Sequence, residues 1–386
     1  MMTDAFDRFL ARCVQSALRS EPFPEFACFT SLSPDTITPE TAANKVSFHG
    51  IALILLQANP GLTGWPDLLK DRIREEARLQ TFWELAHKDT IVAVLDDLGA
   101  AGADTVVLKG TALAYSVYSD PALRRRGDSD IMVTGIPRER VRAILARRGF
   151  FSTGDVMPLQ ESWSLCTDYG FDHTIDVHWQ FKSSPEVSAC LARIIPSAET
   201  TPLPKMGSNA VGLNAVDNLF MVAINRESHR VFGIQNGVDK TFDNDRLIWA
   251  VDFDLLTRAF TQADWDRVPV LAAKAGCSAI ILDALLFAQR TIGTTVPPSV
   301  CDALASDTRD QPVTHYYSGL PTAHRFLRDF RASRSLAQKA RLLKFHLLPG
   351  RIFLAERYPN SGHWPLFALQ MRRLISAPGK LLGQSR

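Results

Sequence analysis

The sequence is poor in the features that would mark a secreted, zinc-bound or membrane-spanning protein. Its six cysteines, Cys13, Cys28, Cys166, Cys190, Cys277 and Cys301, are scattered over 386 residues. None forms a C-x-x-C pair or stands at zinc-ligand spacing, which excludes a disulfide scaffold or zinc module as the organising device. Buried free thiols in a reducing compartment are expected instead. The opening Met-Met-Thr-Asp-Ala-Phe-Asp carries acids where a secretory leader carries bases. The longest apolar runs, Ile51 to Ala58 and Ala279 to Ala288, are far shorter than the roughly 20 residues that cross a bilayer, and Asp283 interrupts the second. Repeats and low-complexity stretches are also lacking. A cytoplasmic protein with no transmembrane segment is expected.

What is present is the composition of a folded chain, 46% hydrophobic and 22% charged. Its length suits two or three packed units. Net charge is only +2, but it is unevenly spread. From Thr322 to Arg386 thirteen Lys and Arg face two acids, Asp329 and Glu356, a balance of +11 that leaves −9 for the rest. Two readings stand: an anionic partner for this tail (a membrane surface, nucleic acid or an acidic protein), with a location peripheral to the membrane, or a solvated basic face on C-terminal helices.

Patterning divides the chain into four stretches. Residues 1–88 read as an N-terminal helical segment. Phe6, Phe9, Leu10, Cys13 and Leu18 follow helical spacing, a second helix starts after Ser33-Pro34-Asp35 or Thr38-Pro39-Glu40, and a third spans Leu68 to Leu85. Residues 89–205 read as an α/β core. It holds a helix from Asp89 to Leu98, a strand at Thr105 to Leu108, a helix from Thr111 to Tyr118, a strand at Asp128 to Val133, a helix from Arg138 to Arg148 and a strand at Thr174 to Phe181. Residues 206–320 read as a helical domain completing a cleft, and 321–386 as a basic, helical tail.

Two carboxylates stand out in the core. Asp128 and Asp130 lie two apart on one strand, so both side chains leave the same face, about 6–7 Å from each other. Like charges so close resist burial, and a divalent cation resolves the conflict. Mg²⁺ takes hard oxygen ligands, commonly one or two carboxylates together with substrate phosphates. Asp176 lies in the apolar strand Ile175-Asp176-Val177-His178-Trp179 and shares its face with Thr174 and His178. If the strands are neighbours, three carboxylates converge as in a two-metal site, with Asp176 helping to take a proton from an attacking hydroxyl. Upstream, Val107-Leu108-Lys109-Gly110-Thr111 is a strand running into a helix through glycine. Free N–H groups there suit an anion, and Lys109 and the Thr111 hydroxyl are within reach of phosphate oxygens. The run Arg124-Arg125-Arg126 adds positive charge. His178 is a candidate phosphate contact. Trp163, Trp179 and Trp249 read as core, and Asp252 as a semi-buried acid paired with Arg246.

In order, Leu108-Lys109-Gly110, Tyr118, Asp120-Pro121, Leu123-Arg124, Gly127-Asp128-Ser129-Asp130-Ile131-Met132-Val133 and Ile175 to Trp179 resemble the bacterial uncharacterised nucleotidyltransferase family. That family is a branch of the DNA polymerase β-like superfamily. The resemblance continues through His229 and Arg246-Leu247-Ile248-Trp249 with Asp252, covering roughly residues 45 to 295. One departure is spacing: seventeen residues separate Gly110 from Asp128, where the superfamily has about ten.

The resemblance implies an α+β fold, a small mixed sheet with helices, flanked by N-terminal helices and a C-terminal helical domain. It implies transfer of a nucleotidyl group from an NTP, ATP first among them, to a small-molecule, peptide or protein acceptor, with Mg²⁺ or Mn²⁺. Asp128, Asp130 and Asp176 would be catalytic and metal-binding; Lys109, Gly110, Thr111, Arg124 and His178 would hold the nucleotide. The alternatives are a catalytically silent binding protein of the same fold and an accessory protein recruited to an anionic surface by its basic tail.

Overall fold

Helix-forming residues without glycine or proline run unbroken from Asp67 to Leu98, and they build the longest element of the chain. The computed structural model describes residues 5–26, 37–153, 159–195, 199–236, 239–241, 244–351, 354, 357–361 and 363–376. Its N-terminal part holds α1 (Ala5–Arg19), α2 (Pro39–His49), α3 (Ala52–Ala58) and α4 (Asp67–Ala100). Helix α2 starts where Thr38 accepts a hydrogen bond from the Thr41 amide, with Pro39 at the first helical position. The other expected start, Ser33-Pro34-Asp35, lies outside the described residues.

Helix α4 corrects the expectation of two helices with a change near residue 88: it is one helix of 34 residues. Its buried stripe, Leu69, Ile73, Ala77, Gln80, Glu84, His87, Ile91, Val94 and Leu98, keeps a three- and four-residue spacing throughout. The stripe turns polar only at Gln80, Glu84 and His87, and those three side chains support the site described below.

The sheet contains β1 (Asp104–Leu108), β2 (Asp128–Thr134), β3 (Phe151–Ser152), β4 (Gln160–Cys166), β5 (Asp172–His178), β6 (Thr200–Pro202) and β7 (Val211–Leu213), in the spatial order β3-β4-β5-β2-β1-β7-β6. The central β2 runs antiparallel to β1 and parallel to β5. The fold is therefore α+β with a mixed sheet, as expected. Strand β5 stops at His178 rather than at Phe181, and β4 was not expected. A separate two-stranded ribbon joins β8 (Ile234–Asn236) to β9 (Asp239–Thr241).

Each face of the sheet is covered by its own core. Val107, Ile131, Val133, Ile175 and Val177 pack under the second half of α4 and under α6 (Arg138–Arg147), with Ile91, Leu95, Val141 and Ile144. On the opposite face, Val106, Leu108 and Met132 join a larger core. That core is shared by α1 to α3, α8 (Ala215–Phe232), α9 (Leu247–Arg258), α10 (Gln262–Ala275), α11 (Ser278–Ile292) and α12 (Pro298–Ala305). Between the strands lie α5 (Lys109–Ser116) and α7 (Pro185–Leu191). The chain continues through α13 (Pro312–Tyr317), α14 (Thr322–Ala332), α15 (Leu336–Leu347) and α16 (Leu366–Ser376). No helix among the described residues is long and apolar enough to cross a membrane. Cys13, Cys190 and Cys277 are buried free thiols, but Cys166 is exposed and Cys301 half-buried; Cys28 lies outside the described residues.

Candidate active site

Strand register assembles the site. Asp130 on β2 lies directly opposite Asp176 on β5, Asp176 lies opposite Ser162 on β4, and Asp130 faces Leu108 on β1. Directly opposed residues share a face, so two carboxylates stand side by side in the middle of the sheet, an arrangement that like charges oppose. Met132 faces His178 one step further along the same face. The ligand atoms of Asp130, Asp176 and His178 lie within 4.8 Å of one another. Asp128, at the start of β2 opposite Thr174, is not one of that trio, although it is close enough to interact with both acids.

Lys109 closes the row. It follows Leu108 at the end of β1 and adopts φ +51, the left-handed region that a residue with a Cβ seldom occupies. Its Nζ donates to Asp130 Oδ1 at 2.5 Å and lies 3.4 Å from His178 Nε2. His178 Nε2 is 2.7 Å from the same oxygen. On the next strand, Gln160 Nε2 donates to Asp176 Oδ2 at 2.6 Å and Ser162 Oγ to Asp176 Oδ1 at 2.5 Å.

These contacts set the three carboxyls apart electrostatically. Burial would raise Asp130, but the Lys109 charge and the His178 hydrogen bond outweigh it and hold this carboxyl far below its ordinary value. Burial together with the charges of Asp130 and Asp176 pushes Asp128 up to about 7. Burial and Asp130 push Asp176 up to about 6, against the opposing pull of Ser162 and Gln160. Burial and Lys109 bring the His178 imidazole down to about 4, so it is neutral near pH 7. Its Nδ1 is buried with no hydrogen-bond partner among the described residues.

Near the acids lie further basic groups, of which sequence reasoning had not singled out Lys182. Lys182 is 6% exposed, and its ammonium donates to Asn225 Oδ1 at 3.1 Å. Burial and the Lys109 charge bring Lys182 down to about 7. One turn along α8 from Asn225, His229 stacks on Trp249 with ring centroids 5.9 Å apart; burial and Lys182 bring it down to about 4. Arg246, which donates to the Phe48 carbonyl at 2.6 Å, comes down to about 9 through burial and the charges of Arg124 and Arg125. Burial is the largest cause in each case, and neighbouring positive charge adds to it.

Two expected phosphate contacts occupy bracing positions instead. Arg124, 7% exposed, makes a two-pronged ion pair with Asp252 at 2.7 and 2.8 Å, and Tyr118 donates to the same carboxylate at 2.6 Å. Asp252 is thus fully buried and held by Arg124, not by Arg246. The guanidinium lies over Gly110, where an added Cβ would sit in ordinary contact with it at 3.5 Å. Thr111, also buried, is ringed by Ser129 Oγ at 2.9 Å, Arg126 Nε at 3.1 Å and the Asp128 carbonyl at 3.3 Å. Behind it, His87 meets Ser129 at 2.8 Å and His173 at 3.1 Å, while Glu84 accepts from Arg126 at 2.8 Å and from Tyr115 at 2.5 Å. Gln80 donates to the Ala122 carbonyl. The polar stretch of α4 therefore fixes the loop that leads into Asp128. Nearby, Trp83, Leu79, Arg125, Arg126, Tyr169 and Phe171 line a cavity of about 560 Å³.

Paired acids on one face of a central mixed sheet, an adjoining lysine and buried basic groups nearby make up the site. The sequence model of the family described as "Uncharacterised nucleotidyltransferase" matches residues 37–293, more than half of the chain, and the protein belongs to that family. Membership supports a role in nucleotidyl transfer in general terms. No curated protein and no solved structure matches the chain.

Proposed function

We propose that this protein transfers a nucleotidyl group from an NTP, ATP first among the candidates, to an acceptor carrying a hydroxyl, carboxyl or phosphate oxygen, with a divalent cation held by Asp130 and Asp176. The observation that carries this reading is the side-by-side register of Asp130 and Asp176, with Lys109 and Asp128 beside them. The donor set fits such an ion. Two carboxylate oxygens are hard ligands suited to Mg²⁺ or Mn²⁺, and a nitrogen from His178 would favour Mn²⁺. The ion would supply positive charge to the phosphates and to the developing leaving group.

The chain's own groups divide the remaining work. The acceptor oxygen bonds to the α-phosphorus as the bond to pyrophosphate breaks, and the acceptor's proton passes to a carboxylate. Asp128, beside the two ligand acids but outside the trio of clustered ligand atoms, is proposed as that base. Asp176, oriented by Ser162 and Gln160, and Asp130, gripped by Lys109, serve as ligands. Lys109, Lys182 and Arg246 are proposed to hold the triphosphate, with the free N–H groups around Gly110. Arg124 and Thr111 support these groups from behind.

Incubation with each α-labelled NTP and Mg²⁺ or Mn²⁺ in a cell extract, followed by mass spectrometry of adducts, tests the reading. Label transfer with pyrophosphate release, lost in Asp130→Asn, is the expected result. Metal-dependent NTP binding by calorimetry with no transfer to any acceptor would favour the catalytically silent alternative.

A further inference from the structure

The C-terminal helices expose apolar side chains where a solvated surface has little use for them. In α15, Leu342 is buried and anchors the helix. Leu336, Ala340, Leu343 and Leu347 recur at four-, three- and four-residue steps along another face, all exposed, with Leu336 at 85%. Beside that stripe run Arg341 and Lys344, also exposed. In α16 the buried anchor is Leu369, while Phe367 and Met371, and Trp364 just before the helix, are exposed, Phe367 at 70%. The two helices adjoin: Gln370 donates to the Pro349 carbonyl at 3.1 Å and Arg373 to the His346 carbonyl at 3.3 Å. Of the two acids in the +11 segment from Thr322 to Arg386, Asp329 is buried and bonded to Ser184 and Tyr316, which leaves it unable to offset the surface bases.

We infer that α15 and α16 form a docking surface for an anionic lipid bilayer, with Leu336, Leu343, Leu347, Phe367 and Trp364 entering the headgroup boundary and the flanking lysines and arginines meeting lipid phosphates. The mixture of side chains selects this occupant. A nucleic acid backbone would engage the bases but leave the leucines and Phe367 in water. An apolar protein face would cover the leucines but strand the bases. The surface of an anionic bilayer accepts both, because long basic side chains extend to the phosphates while apolar neighbours sink between acyl chains. This placement is independent of the chemistry proposed for the sheet.

Vesicle flotation of the full chain provides the test, using phosphatidylcholine alone and phosphatidylcholine mixed with phosphatidylglycerol, at low and high salt. The expected result is flotation with the anionic vesicles, weakened by salt. Two double variants separate the contributions: Leu343→Gln with Phe367→Gln removes apolar area, and Arg341→Gln with Lys344→Gln removes charge. All four positions are exposed, so folding should survive, which circular dichroism melting checks. Each pair should lower the bound fraction roughly tenfold. The proposal is overturned if the wild-type chain fails to float with anionic vesicles at low salt, or if either double variant floats as well as the wild type. It is equally overturned if Leu343→Gln with Phe367→Gln instead abolishes self-association, or capture of an acidic protein, in a chain that binds no vesicles.

Discussion

The charges on the acid-bearing face of the sheet and those just behind it are alike in kind but opposite in how they are matched. Behind the face, Arg124 with Asp252 and Tyr118, Arg126 with Glu84 and Tyr115, and Arg226 with Asp245 and Asp283 are matched sets with close hydrogen bonds. On the face, Asp128 and Asp176 are driven up by neighbouring negative charge, while Lys182, His229 and Arg246 are driven down by burial and neighbouring positive charge. Matched pairs hold the fold. Under the function proposed above, the mismatched groups, acids on one side and bases on the other, would be balanced by a ligand that carries both signs, such as a metal–polyphosphate.

The largest test of this contrast is Asp130→Asn, expected to reduce kcat in the labelled-NTP assay by about 10³-fold or more; it also leaves the buried Lys109 ammonium without its carboxylate, so a lowered melting temperature is expected with it. Asp252→Ala should act chiefly through stability. Leaving the buried Arg124 without its partner costs about 3–5 kcal/mol, read as a lowered denaturation midpoint in urea.

Lys182→Met comes next, with an expected rise in NTP Kd of about tenfold by calorimetry. It also carries a pH signature. The folded-state value near 7 lies below that of the unfolded chain, about 10.4. Between those limits the unfolded chain binds more protons, so the Lys182 contribution makes the wild type more stable as pH rises from about 7 toward 10. Melting curves of Lys182→Met across that range should show a flatter rise. The smallest effect belongs to Ser162→Ala. Losing a hydrogen bond that favours the ionised form should move Asp176 further upward, shifting the acidic limb of the kcat/KM profile to higher pH with only a few-fold loss in rate.

The acids on β2 and β5 were legible in the sequence because strand alternation fixes which side chains share a face, and an acid in an apolar strand is conspicuous. Their partners were not. Ser162 and Gln160 sit on β4, whose Gln-Glu-Ser-Trp-Ser-Leu-Cys run is too polar to announce a strand; register sets Ser162 opposite Asp176 and Gln160 opposite His178, from where its side chain reaches Asp176. Arg124 and Asp252 are 128 positions apart, beyond anything local spacing reveals, so the plausible local pair of Asp252 with Arg246 was the wrong one. The long α4 was divided in reading because its buried stripe becomes polar at Gln80, Glu84 and His87. Those residues look like surface until the loop before Asp128 is in place to receive them. Lys182 carried a faint signal, a lysine shortly after an apolar strand, which no motif distinguishes from an ordinary surface charge.

The left-handed twist at Lys109 has a consequence for how this position tolerates change. Glycine enters that conformation at no steric expense, whereas any residue with a Cβ is disfavoured there by roughly 1 kcal/mol or more. Replacing Lys109 by glycine would therefore ease the backbone while deleting the ammonium, and replacing it by arginine would retain charge and tension together. That ease is smaller than the roughly 3–5 kcal/mol lost when one partner of a buried ion pair is removed, so at this one residue the grip on Asp130 outweighs the strain in the main chain.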